Sequence, residues 1–250
     1  MSLSALVLAG SRGGGDPVAL AEGVAHKALV EVGGTPMLVR VIAALQAAGI
    51  ARIAVAADDP EVIALATALG AGILPPAQGP SASVAAGFAA QGAPLLVTTA
   101  DHALLRPEWV CDFLKDTPPG ADVSVLLASR ERVNAAIPDC RRTWLRFADG
   151  EWSGCNMFLL STSRAHAAIA LWQTVEANRK RPWRIAARLG FGTLLRYAAG
   201  RLTLAEAVAR LGQRIGLDAR AVAARDGLAA VDVDKPGDLA DVRRIVTAAA

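Results

Sequence analysis

The chain has 250 residues, 53% of them hydrophobic and 20% charged, with a formal net charge of +3. That length allows a sizeable core, that composition argues against disorder, and so small a charge gives no argument of its own for nucleic-acid binding. No apolar run is long and uniform enough to span a bilayer, and no signal peptide is evident. Three cysteines, Cys111, Cys140 and Cys155, lack metal-ligand spacing and read as reduced thiols, mostly packed in the fold, of a cytoplasmic protein.

In chain order, Ala5–Ala9 reads as a buried parallel strand that empties into Gly10-Ser11-Arg12-Gly13-Gly14-Gly15. Such a loop lets backbone N–H groups approach phosphate oxygens with no Cβ in the way. Lys27 follows at the same end of the sheet, then a turn and a helix over Pro36–Ala48 that Gly49 ends. Arg52–Ala56 reads as strand, Pro60–Leu69 as helix stopped by Gly70, and Ala71–Leu74 as a short strand. Ser81–Gln91 reads as a helix capped by serine and closed by Gly92. Leu95–Thr99 is a central strand running into Ala100-Asp101-His102, followed by a helix over Pro107–Lys115 and a strand over Val123–Leu127. Thr143–Phe147 and Asn156–Leu160 read as two strands around a turn at Ala148–Glu151. Residues 162–216 read as helical, broken by Pro182, Gly190, Gly192 and Gly200. Ala229–Val233 returns to strand and Pro236–Thr247 is the last helix. This alternation predicts an α/β fold with a doubly wound, mostly parallel sheet, in a single domain over residues 1–250 with a helical insertion at about 162–216. In such sheets ligands bind beyond the carboxyl ends of the strands, where the glycine loop, the loop before Ser81 and Asp101 all fall.

The glycine loop, Lys27 and Gly33-Gly34-Thr35-Pro36-Met37-Leu38, in that order, resemble the amino-terminal signature of nucleotidyltransferases that join an NTP to a phosphorylated acceptor. That superfamily includes MobA-like, sugar-phosphate and methylerythritol-phosphate enzymes. The resemblance implies a Rossmann-like, mixed but mostly parallel sheet of the nucleotidyltransferase and GT-A type. It further implies nucleotide contacts from Ala9, Gly10, Ser11, Gly13, Gly14 and Gly15, with Arg12 and Lys27 offsetting triphosphate charge. Gln78-Gly79-Pro80-Ser81-Ala82-Ser83 resembles the segment that reads the base, making Gln78, Ser81 and Ser83 candidates, although both serines could simply serve the helix start.

Asp101 stands where the family carries a Mg²⁺ carboxylate, a hard oxygen donor suited to that ion. Asp232-Val233-Asp234-Lys235-Pro236-Gly237-Asp238 resembles the carboxy-terminal segment of MobA-like members. Of its acids, Asp234 is the first candidate to join Asp101 and Asp232 the second, with Asp238 assigned to the first turn of the last helix. Asn156, His102 and Arg181 are acceptor-side candidates, each with a structural alternative: a turn residue, a packed histidine and a solvated basic face.

One departure is visible. Gly15 stands where the family pattern has an arginine, and the spacer to Lys27 is longer than usual. The expectation is a Mg²⁺-dependent transferase that uses an NTP donor and a phosphorylated small-molecule acceptor. A nucleotide-sugar glycosyltransferase, which usually has Asp-x-Asp where this chain has Ala100-Asp101-His102, is one alternative. A nucleotide-binding or regulatory module without turnover is the other. Nucleic acid and a transmembrane segment are not expected, and a homodimer stays open.

Overall fold

In the computed structural model, which describes residues 2–10, 15–138, 140, 142–177 and 190–248, the chain groups into two units. One comprises Met1–Asp112 with Val231–Ala250, the other Phe113–Ala230.

The first unit is built on β1 (Ser4–Leu8), whose Ala5, Leu6 and Val7 are fully buried. A strand buried on both faces reads as a continuous apolar run, which is why this one was legible. It pairs in parallel with β4 (Arg52–Ala56) on one side and β6 (Leu95–Thr99) on the other, and β5 (Gly72–Leu74) lies outside β4. Helices α2 (Met37–Ala47), α3 (Pro60–Ala68) and α4 (Pro80–Gln91) lie between these strands in sequence, as parallel pairing requires. On α2, Leu38, Val41, Ile42 and Leu45 recur at helical spacing and are buried. Asp59 caps α3 by accepting the N–H groups of Glu61 and Val62, with Pro60 in the first turn.

The chain runs outward from β1 through β4 to β5, then returns to place β6 on the other flank of β1. The carboxyl ends of β1 and β6 therefore lie side by side where the strand order reverses, the position of the ligand crevice in sheets of this kind. This topology, rather than any motif, chooses the position of the site.

Two local features were not foreseen. Helix α1 (Pro17–Glu22) begins at Asp16, whose Oδ1 accepts the N–H groups of Val18 and Ala19 at 2.9 and 3.2 Å. A short hairpin joins β2 (Glu31–Val32) to β3 (Thr35–Pro36) around Gly33 and Gly34, both at positive φ, as a tight two-residue turn requires.

The reading of a serine cap for α4 is corrected: the cap is Gly79, at φ 98°, with no side-chain bond. Ser83 lies inside the helix, where its Oγ accepts Ala77 N–H and bonds the Gly79 carbonyl.

In the second unit, β7 (Val123–Ser129) runs antiparallel to β9 (Gly150–Leu160), and β8 (Leu145–Phe147) folds back onto β9. Strand β9 starts at Gly150 rather than Asn156, so the turn contracts to Ala148–Asp149. Helix α5 (Pro107–Asp116) precedes β7, and α6 (Arg130–Ala136), which was not anticipated, follows it under a Ser129 cap. The region read as helical holds α7 (His166–Ala177), α8 (Phe191–Ala198) and α9 (Leu204–Arg214). A capping box between Thr203 and Glu206 starts α9.

The last strand was misplaced. Strand β10 (Ala219–Ala223) pairs in parallel with β7, whereas the expected strand Ala229–Val233 is a tight helical turn over Gly227–Ala230 and an unladdered extended stretch. Ala229, Val231 and Val233 are buried like strand residues, which produced the misreading. Val233 N–H donates to the Asp101 carbonyl at 3.1 Å. Helix α10 (Pro236–Ala248) then buries Leu239 and Val242 in the first unit.

Asp122, 2% exposed, joins three segments of the second unit. It accepts Thr162 Oγ1–H at 2.6 Å and Asp218 N–H at 2.9 Å. Those bonds, with Arg164 nearby, hold its carboxyl below the usual carboxylate range. Of the three cysteines, Cys155 is buried, Cys140 intermediate and Cys111 exposed, so Cys111 does not fit the packed-thiol reading.

Candidate functional site

The crevice collects its charged groups from four segments of the first unit. Lys27 is carried by a single tight turn over Lys27–Leu29, for which His26 is the cap: its Nδ1 accepts Ala28 N–H at 3.0 Å. Asp101 sits just beyond β6. Arg40 on α2 steadies that loop by donating to the Ala103 carbonyl at 2.8 Å. Asp234 arrives through the extended stretch that Val233 ties to Asp101. Asp238, in the first turn of α10, accepts the N–H groups of Asp234 and Lys235, as its helix-start assignment required.

Lys27 Nζ lies 2.6 Å from Asp101 Oδ2, 3.6 Å from Asp234 Oδ1 and 3.8 Å from Asp16 Oδ2. The Lys27 and Asp101 side chains are only 18% and 15% exposed, while Asp234 is 58% exposed. Burial pulls the lysine downward, but Asp101, Asp234 and Asp16 outweigh it, and its pKa lies above the ordinary value. Lys27 is therefore an ammonium across the physiological range. Asp101 Oδ1 is buried and has no hydrogen-bond partner among the described residues, and the same is true of Thr99 Oγ1 at the end of β6. Buried polar atoms are rarely left without a partner.

Burial holds the His26 imidazole below its ordinary range, against the pull of Asp59, Asp58 and Asp16. Its Nδ1 can cap only while it carries no proton.

The expected residues separate into groups. Lys27, Asp101 and Asp234 converge. Asp232 belongs to the same stretch, but the Lys27 ion pairs involve Asp234. Ala9 is buried at the mouth of β1 with its N–H on the Ala56 carbonyl, and a Cβ on Gly10 would stand 3.3 Å from Pro76 Cβ. The glycine loop thus starts directly beside the loop that precedes α4. There Gln78 is exposed, while Ser81 and Ser83 are buried. His102 is buried with its ring stacked on Trp109 at 6.1 Å, which is a packing position. Asn156 lies in the second unit at a bulge of β9, in a left-handed conformation (φ 49°) rare for a non-glycine residue. Ser11, Arg12, Gly13, Gly14 and Arg181 lie outside the described residues.

The departure at Gly15 has a local cause. Its φ is +83°, and a Cβ there would meet Leu20 Cδ1 at 3.1 Å. The glycine turns the chain into Asp16 and α1, and an arginine could adopt that backbone only with strain.

Sequence reasoning missed three contributors: Asp16, His26 and Arg40. Asp16 had a readable signal, since Asp-Pro before an apolar stretch marks a helix start. His26 acts locally, on the N–H two residues along, but histidine is an uncommon cap, whereas Arg40 acts on a carbonyl 63 residues away that only folding brings near.

The pattern of the MobA-like NTP transferase domain matches residues 5–187. The chain belongs to this family. A 3-deoxy-manno-octulosonate cytidylyltransferase of Nitrobacter hamburgensis is 34% identical over 111 residues, 41% of this MobA-like chain and 43% of that protein, so the match spans under half of that relative's length. A Thermus thermophilus structure described as a hypothetical transferase superposes with a TM-score of 0.82 at 33% identity, over 96% of this chain and 100% of that one. A CMP:2-keto-3-deoxy-manno-octonic acid synthetase complexed with CTP covers 100% of both chains with a TM-score of 0.60, and at 19% identity that likeness is one of fold. The mostly parallel, mixed α/β sheet expected from the sequence is the fold these structures share. Among the described residues, no helix is long and apolar enough to cross a membrane.

Proposed function

We propose that this MobA-like domain is a Mg²⁺-dependent nucleotidyltransferase that moves the NMP moiety of an NTP to a phosphorylated small-molecule acceptor and releases pyrophosphate. The observation that carries the reading is the convergence of Lys27, Asp101 and Asp234 at the strand-order reversal, beside the start of a glycine-rich loop. Asp101 would hold the metal through its unmet Oδ1, with Asp234 as the second carboxylate, and an all-oxygen donor set fits magnesium. Bound there, the ion would offset charge on the triphosphate.

The remaining work falls to the chain. Lys27 would neutralise phosphate oxygens as a point charge, and Arg12 with the amides of Gly10 and Gly13 to Gly15 would wrap the triphosphate. An acceptor phosphate oxygen forms the new bond to the α-phosphorus. The bond from that phosphorus to the bridging oxygen breaks, and its electron pair leaves with pyrophosphate. No covalent enzyme intermediate is needed. Asn156 and Arg181 remain acceptor-side proposals, and CTP is the first donor to try, since two of the similar proteins are named for cytidylyl transfer or were complexed with CTP.

The test is pyrophosphate release from each of the four NTPs with Mg²⁺ and a panel of sugar phosphates and other phosphorylated acceptors. Release with one nucleotide supports the reading. The glycine at position 15 favours one second reading, a nucleotide-binding module without turnover. Tight Mg²⁺–NTP binding with no release under any acceptor would select it.

A further inference from the structure

We propose that Lys27 is the resident cation of the Asp101 site, so that divalent metal and triphosphate bind as a coupled pair, the triphosphate drawing the lysine off the carboxylates that then hold the metal. The inference deepens the transferase reading and rests on it.

Three carboxylates, Asp16, Asp101 and Asp234, face one ammonium within 3.8 Å. The closest of them, Asp101, is engaged through Oδ2 while its Oδ1 stays unmet. A divalent ion approaching Asp101 and Asp234 would bring two positive charges to within a few ångströms of Nζ. In a pair this shielded from water, that repulsion is only partly damped. The metal alone is thus opposed by the lysine that already neutralises its ligands.

A triphosphate reverses the balance. The lysine has a flexible four-carbon stem and three rotatable donors, so Nζ can turn onto phosphate oxygens without a backbone shift. The capped turn at His26 holds the Cα in place while the stem moves. Asp101 Oδ2 is then released to the metal along with Oδ1. Asp16 fits the same device: its Oδ1 is committed to the first turn of α1, which leaves Oδ2 facing Lys27. By linkage, whatever factor the nucleotide adds to metal affinity, the metal adds to nucleotide affinity.

The experiment is Mn²⁺ binding to the full chain, followed by the electron paramagnetic resonance signal of the free ion, with the metal alone. Lys27→Met should bind Mn²⁺ about 5- to 150-fold more tightly than the wild type, the usual range of coupling between sites. Adding Asp101→Asn should erase the gain. Lys27→Gln keeps a hydrogen-bond donor and loses the charge, so it should show the same sign should the methionine variant melt early. Unchanged or weaker Mn²⁺ binding in a folded Lys27 variant overturns the proposal. If wild-type protein still releases pyrophosphate in that case, the transferase reading survives and only the counter-ion role falls. No Mn²⁺ binding in either variant, and none in wild type with any of ATP, CTP, GTP and UTP, removes both.

Discussion

Asp101 and Lys27 form a 2.6 Å ion pair at the end of β6. Replacing Asp101 with Asn removes a metal carboxylate but keeps a polar group beside Lys27. Loss of the charge stabilisation that a bound metal supplies is worth several kcal/mol, so pyrophosphate release should fall at least about a hundredfold. The melting temperature should move little, since Asp234 and Asp16 still face Lys27 and keep its charge compensated. Near-wild-type turnover in Asp101→Asn would remove the metal assignment. His26 carries a different expectation. Its folded-state pKa is depressed, so the unfolded chain takes up its proton first as pH falls. The stability it contributes is therefore complete above about pH 6.5 and is lost as pH drops from there toward the folded value. His26→Asn retains an acceptor for Ala28 N–H but does not titrate. Urea unfolding from pH 7.5 to 5 should show a shallower acid decline in the variant than in wild type, and parallel curves would contradict the capping account.

Helix α4 approaches β1 so closely that its glycine is a packing requirement. A Cβ on Gly87 would lie 2.5 Å from Leu6 Cδ2, at the centre of the core. Gly87→Ala should cost about 1–3 kcal/mol, the usual range for overpacking, because the leucine must leave its rotamer. At Gly227 the obstacle is the Arg132 carbonyl, which is backbone and cannot rotate away. Gly227→Ala should therefore lower the denaturant midpoint more than Gly87→Ala does, and the reverse order would be inconsistent with these contacts. Elements also account for the errors of sequence reading. The stretch Ala229–Val233 has the burial of a strand but gives a backbone bond to the Asp101 loop, and β10 takes the ladder place beside β7. Alternation along the sequence reports burial, and it does not report which neighbour supplies the hydrogen bonds.

For the molecule as a whole, the site predicts a measurable linkage between ligand and stability. A nucleotide held at 100 times its dissociation constant should stabilise the native state by about 2.7 kcal/mol. For a protein of this size that corresponds to a rise in melting temperature of roughly 5–10 °C. A panel of ATP, CTP, GTP and UTP, each with and without Mg²⁺, should show one nucleotide shifting the melt strongly, and only with the metal. Equal shifts with and without Mg²⁺ would contradict the coupled site, and no shift with any nucleotide would count against the transferase reading itself.

The sequence by itself determined the α/β alternation and the glycine-rich segment after β1, and it singled out Lys27, Asp101 and Asp234, which the fold brings together. These are properties of short segments: a continuous apolar run, a loop without side chains, a lysine or acid at a fixed distance from a strand end. Only the tertiary structure decided that the ends of β1 and β6 lie side by side where the strand order reverses, that Asp16 joins Asp101 and Asp234 around a single ammonium, and that His102 is packed on Trp109. It also supplied the reason an arginine is missing at position 15, where the backbone is left-handed and leads into α1. Such facts depend on which strand lies beside which, and strand order is set by packing among segments far apart in the chain, a quantity that no local pattern contains.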